Sequence, residues 1–151
     1  MYHYSKDILM YTSKEGKIAA LDMGDQWVGI ALSDITRTLA KPFTTVPFAD
    51  YKKEVSKLIV EQRPVTIIIG YPKTMRGTES EQTKKILTLH AELEKNFPET
   101  VFILWDERLS SKRAQTASPA RTREEKLKSH AIAAAFILDS YLGYLAMQKN
   151  M

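Results

Sequence analysis

Three side chains of this sequence stand where an α/β protein can do metal chemistry, and each is out of keeping with its surroundings. Asp22 lies inside "IAALDMG", where strand alternation favours an apolar side chain. An ionised carboxylate there needs a hydrogen bond, a cation or a metal; the alternative is an Asp that caps the turn before Gly24. Glu107 follows Asp106 directly after the apolar run "VFILW". That is the carboxyl end of a strand, where α/β sheets gather functional groups. The plainer alternative is that the two acids favour the N-terminus of the next helix. His130 opens the apolar stretch "SHAIAAAFILDSYLGYLAM". In a first helical turn the dipole pushes imidazole towards its neutral form, the form that binds metal. A partly buried histidine satisfied by its neighbours is the alternative. If the strands bearing Asp22 and Glu107 are neighbours, two carboxylates converge, and they repel unless a divalent cation lies between them. His3 and His90 have no comparable setting.

A second group is basic. Arg108, Lys112, Arg113, Arg121, Arg123, Lys126 and Lys128 fall within 21 residues, against only Glu124 and Glu125. With a net charge of +4, this points to a polyanionic partner or, alternatively, to a solvated loop. "GYPKTMRGTES" starts at Gly70 and carries Lys73 and Arg76. As a glycine-bounded loop after a strand it can meet phosphates. It lacks the G-K-[ST] ending of a Walker loop.

The elements that position these residues follow from periodicity. Residues 16–24 and 28–34 read as two strands of a hairpin turned at "DQW", and 39–48 as a third strand held near an edge by its prolines. Asp50 N-caps a helix with Tyr51, Val55, Leu58 and Ile59 on one face. "PVTIIIG" (64–70) and "TVFILW" (100–105) read as buried strands. A helix with Ile86, Leu89 and Leu93 on one face runs between them to about residue 96. Residues 116–126 read as a flexible loop, and 129–147 as a helix apolar on most faces. The order β-β-β-α-β-α-β-α predicts a mixed five-stranded sheet with helices on both faces.

A chain of 151 residues is one ordinary domain. Residues 1–16 are expected to form a disordered extension without the apolar region of a secretory signal, and 17–151 the single domain. The chain has no cysteine, which excludes disulfides and thiolate metal sites and suits a reducing cytosol. The longest apolar run, near 131–138, is far short of the roughly 20 residues of a membrane span, so no membrane partner is expected.

Four stretches resemble one family, in its order and over about residues 18–145. "ALDMGDQWVGIALSD" is similar to the opening A-L-D-x-G-x-K-R-I-G-V-A-x-S-D of the YqgF/RuvX family. "GYPKTMRG" is similar to its G-L-P-x-x-M-D-G loop, "DERLSS" to its D-E-R-L-S-T, and "AIAAAFILDSYL" to its closing helix. The resemblance implies an RNase H-like fold and a cytoplasmic, divalent-metal nuclease using Mg²⁺ or Mn²⁺. Its expected role is 5′-end maturation of precursor 16S rRNA, on free rRNA or a ribosomal particle. It also implies an earlier-proposed alternative, resolution of Holliday junctions in branched DNA. The family's acids carry onto Asp22 and Glu107, and its third acidic position falls on His130, making these three the implied catalytic metal ligands. Asp106, Gly24 and Gly70 are expected to support the site, and Lys73, Arg76, Arg108, Lys112, Arg121, Arg123 and Lys126 to bind nucleic acid. Gln26 and Trp27 replace the family's basic pair, and Arg76 replaces an acid. Trp27 either stacks on an unpaired base or packs in the hairpin turn. A monomer or weak homodimer is expected. An inactive nucleic-acid-binding module is a further reading, sustained by His130. An actin-like or sugar-kinase ATPase, which shares the D-x-G pattern, needs two such domains and is excluded by length.

Overall fold

Alternating apolar residues build five strands, which a computed structural model describes together with three helices over residues 16–71, 81–106 and 122–149. The strands are β1 (Ile18–Met23), β2 (Trp27–Ser33), β3 (Ala40–Pro47), β4 (Thr66–Tyr71) and β5 (Val101–Asp106). The helices are α1 (Tyr51–Gln62), entered through a 3₁₀ turn at Phe48–Asp50, α2 (Glu81–Asn96) and α3 (Arg123–Lys149). Sheet order is β3-β2-β1-β4-β5. The β1–β2 and β2–β3 pairs are antiparallel, and β1–β4 and β4–β5 parallel. This is the mixed five-stranded sheet expected. β3 is an edge strand, where Pro42 and Pro47 cost no ladder bond on the open side. Its register passes from Ile30↔Thr44 to Ala31↔Pro42, so Phe43 is the extra residue of a β-bulge.

Strand alternation divides the core. Leu21, Met23, Val28, Ile30, Ile67, Ile69, Phe102 and Leu104 face α1 and α2. Ile18, Ala20, Ala31, Ile68, Ile103 and Trp105 face α3. Burying each large aliphatic side chain contributes about 1.5–3 kcal/mol.

Two expectations about helix starts are corrected. Asp50 holds the N-cap position of α1, but its side chain makes no capping bond. More consequentially, α3 begins at Arg123 rather than near residue 129, so residues 122–126 are not loop. A capping box starts it: Thr122 N donates to Glu125 Oε2 at 3.2 Å, and Glu125 N donates to Thr122 Oγ1 at 3.1 Å. The signature T-R-E-E was legible in the sequence. At 27 residues, α3 is also long and apolar enough to cross a membrane by length and composition alone. It is not apolar all round in its packing. Ala131, Ala134, Ile137, Leu138, Tyr141, Leu142 and Leu145 are buried along one stripe, and Ile132 and Met147 are exposed.

Candidate active site

Asp22 is the next residue after Ile18 and Ala20 in the β1 series that faces α3. It is half-buried where its strand neighbours are enclosed. The reason lies beside it. Its antiparallel partner is Gly29. On its other side, the β1–β4 offset that pairs Ala20 with Ile68 brings Asp22 level with Gly70. Neither flanking residue has a side chain, so the sheet is indented around the carboxylate. The hairpin that follows Asp22 is closed by Gly24 N donating to Trp27 O at 2.9 Å. Gln82 Nε2 donates to Met23 O at 3.2 Å, and Lys85 Nζ lies 3.0 Å from Asp25 Oδ1. Those contacts from α2 fasten the turn next to Asp22.

Gly29 also explains how His130 arrives. A methyl group built on Gly29 would stand 2.0 Å from the His130 carbonyl oxygen and 2.9 Å from Ala131 N. The α3 backbone thus lies directly on β2, next to Asp22. His130 is half-buried and shares the helical stripe of Ala131, Ala134 and Leu138. The expectation that it belongs to a first helical turn is overturned: it is the eighth residue of α3. The dipole effect fades within one turn, so the helix end is not what conditions this imidazole. Packing against Gly29 is what brings it to the site.

Arg123 and Lys126 are exposed on α3, three and four residues apart in series with His130. They therefore continue its stripe towards the helix N-terminus, while Glu124 and Glu125 point elsewhere. Asp106 ends β5, paired with Tyr71. It continues the Phe102, Leu104 series and lies on the α1/α2 side, away from the face of Asp22. Trp27 is half-buried and belongs to the β2 series of Gly29 and Ala31, on the same face as Asp22. His90, assigned no role, is engaged by Phe102 O at 2.9 Å and Glu94 Oε1 at 3.3 Å. Glu107, Lys73, Arg76, Arg108, Lys112 and Arg121 lie outside the described residues, as does the N-terminal extension through residue 15.

Gly29 and Thr45 were not singled out in the sequence. A glycine inside an otherwise apolar strand is a signal of close backbone approach, and "WVGIAL" carried it. Thr45 had no such mark. Its hydroxyl donates to the Leu127 carbonyl of α3, a partner 82 residues away.

Among the described residues no group of three metal-capable side chains occurs. Asp22 and His130 offer an oxygen and a nitrogen donor from adjacent backbones on one face. That donor pair suits a divalent cation once a further carboxylate joins it.

A mixed sheet of order 3-2-1-4-5, covered on both faces and with an acid in the middle strand, defines an RNase H-like α/β protein. Thermus thermophilus RuvC bound to a Holliday junction substrate has this fold. It aligns with a TM-score of 0.57 at 17% identity, covering 88% of this chain and 96% of that one. Residues 16–144 match the family described as "RuvX: Holliday junction resolvase", and the chain belongs to that family. A protein of Rubrobacter xylanophilus named "Putative pre-16S rRNA nuclease" is 36% identical over 85% of this chain and 93% of its own length. One of Thermoanaerobacter pseudethanolicus with the same name is 34% identical over 89% and 99%.

Proposed function

We propose that this protein is a cytoplasmic, metal-dependent endonuclease that hydrolyses phosphodiesters in precursor 16S rRNA. The observation that supports it is the seating of the α3 backbone at His130 on Gly29, the cross-strand partner of Asp22, in a chain whose relatives are named for that activity. Glu107 is the third proposed ligand. It follows directly on Asp106, the last residue of β5.

In this reading Asp22, Glu107 and His130 hold Mg²⁺ or Mn²⁺. When bound, the ion supplies an activated water and neutralises charge on the phosphate. Asp22 fixes the position at the sheet, Gly70 leaves room for the scissile phosphate beside it, and Gly29 admits the α3 backbone. Arg123 and Lys126, in line with His130, pair with flanking phosphates and orient the strand without reading sequence. Lys73, Arg76, Arg108, Lys112 and Arg121 are the further nucleic-acid-binding residues of this reading. Asp106, on the opposite side of β5, supports the strand end.

The decisive experiment incubates the purified protein with precursor 16S rRNA fragments and with four-way DNA junctions, in Mg²⁺, Mn²⁺ or chelator. Cleavage of the rRNA that chelator stops is expected. Asp22→Asn and Glu107→Gln should each keep less than about a tenth of the rate, a barrier change of about 1.4 kcal/mol, while folding is preserved. Retention of the wild-type rate by either variant removes that residue from the site. A second reading, junction resolution, is favoured by the family's description. Symmetric cleavage of two strands requires two active sites. Junction cleavage together with a doubled mass on junction DNA would establish it over the rRNA reading, whereas the rRNA nuclease is expected to act as a monomer or weak homodimer. Binding without any cleavage would make the protein a nucleic-acid-binding module.

A further inference from the structure

We infer that Gly29 and Thr45 are positioning residues for the metal site, a cross-strand platform that sets the distance between His130 and Asp22. The inference rests on the reading of Asp22 and His130 as ligands. Asp22 pairs with Gly29 across β1–β2, and Gly29 pairs with Thr45 across β2–β3. The three residues form one row across three strands. Side chains directly opposite in antiparallel strands share a face, so the whole row looks towards α3.

α3 is held on this row at two backbone carbonyls one turn apart. His130 O rests against Gly29, where any side chain would collide at 2.0 Å. Leu127 O accepts the Thr45 hydroxyl. The first contact limits how near the helix is, because a hydrogen is the largest group that fits. The second limits how far it can lift and how far it can turn about its axis. His130 sits at the first of these constraints, one turn from the second, so its backbone position is set and side-chain rotation remains. Asp22 needs no separate positioning, since it is part of the same sheet row. The helix that carries the imidazole and the strand that carries the carboxylate are thereby held at a set spacing. Residues that orient ligands in this way typically affect metal affinity by about 10–100-fold when changed.

The test measures Mn²⁺ affinity by titration calorimetry on the full chain, alongside the thermal midpoint. Gly29→Ala must push α3 away and should weaken Mn²⁺ binding by at least about tenfold. Thr45→Val keeps shape and removes the hydroxyl; it should weaken binding several-fold with a nearly unchanged midpoint. Thr45→Ser restores the hydroxyl and should bind within twofold of wild type. Thr44→Val, a like change on the α1 side of the same strand, should leave affinity unaltered. Saturating Mn²⁺ should recover most of the cleavage rate of Thr45→Val, which a damaged fold would not allow. If Gly29→Ala does not fold, Thr45→Val and Thr45→Ser decide the matter. Wild-type Mn²⁺ affinity in folded Thr45→Val overturns the platform while leaving the site intact, provided Asp22→Asn has lost binding. If Asp22→Asn also binds Mn²⁺ as wild type does, the metal site itself is refuted and the platform with it.

Discussion

The two faces of this sheet are made by the same strands and differ in almost every other respect. Towards α1 and α2, β1, β2 and β4 present Leu21 and Met23, Val28 and Ile30, Ile67 and Ile69. Towards α3 the same strands present Ala20 and Asp22, Gly29 and Ala31, Thr66, Ile68 and Gly70. One face is built mainly of large aliphatic side chains; the other mixes Ile18, Ile68, Ile103 and Trp105 with small or polar residues that gather about Asp22. The first keeps its helices at the distance that bulky side chains impose. The second lets the α3 backbone down onto β2, within reach of a carboxylate. Stability and chemistry are thus divided between the sides of one sheet, and alternate residues of a strand serve different ends.

Neighbouring residues in β1 separate the two roles most sharply. Leu21→Ala, at a fully buried position, should cost about 2–5 kcal/mol of stability, read from denaturant unfolding, with unchanged rate per folded molecule. Equal loss of rate and stability would mean that the faces are not independent. His130→Ala should lower metal affinity by more than about tenfold, roughly 1.4 kcal/mol, with little change in midpoint. His130→Asp should recover binding and move preference from Mn²⁺ towards Mg²⁺, which favours oxygen ligands. Unaltered affinity in His130→Ala would reduce this residue to a packing histidine.

Changing Arg123 and Lys126 together to Ala should flatten the dependence of log binding constant on log salt by about two units if each meets one phosphate. An unchanged slope would make them solvated side chains of the helix end. The smallest effect is expected at Asp34, in the β2–β3 turn. Its carboxylate accepts hydrogen bonds from Leu39 N (2.9 Å), Thr36 Oγ1, Thr38 Oγ1 (2.7 Å) and Thr38 N (2.8 Å). These bonds, that from Leu39 N foremost, hold its pKa well below the usual carboxylate range. A lowered folded pKa means stability that is present above the unfolded value, about 4, and lost as pH falls towards the folded one. Asp34→Asn should therefore lower the thermal midpoint slightly at neutral pH, and the gap from wild type should close in acid. A gap independent of pH would assign the effect to geometry rather than charge.

Asp22 was conspicuous in the sequence because a charge interrupts an apolar period, and that survives into the structure as a half-buried carboxylate at a sheet indentation. The sheet was equally legible: largely apolar runs that fold as strands of six to eight residues, with prolines on the edge strand. His130 was found for a reason that the structure replaces. Its supposed place in a first turn depended on a helix start at 129, whereas Thr122 and Glu125 start the helix earlier through a local capping box. Thr45 was not legible at all, since its partner Leu127 is 82 residues away.

What the sequence alone determined was therefore local in origin: strand and helix periodicity, the capping signature, the edge prolines, and the identity of the groups able to bind metal or phosphate. Tertiary structure decided which of these groups meet. Alternation assigns each strand residue to one of two faces, but it does not say which helix covers which face. Only the packing of α3 on Gly29, Thr45 and the small residues around them brings His130 to Asp22. The physical reason is that close approach depends on the volume left by residues on separate strands, and no stretch of sequence shorter than the span from Asp22 to His130 contains that sum.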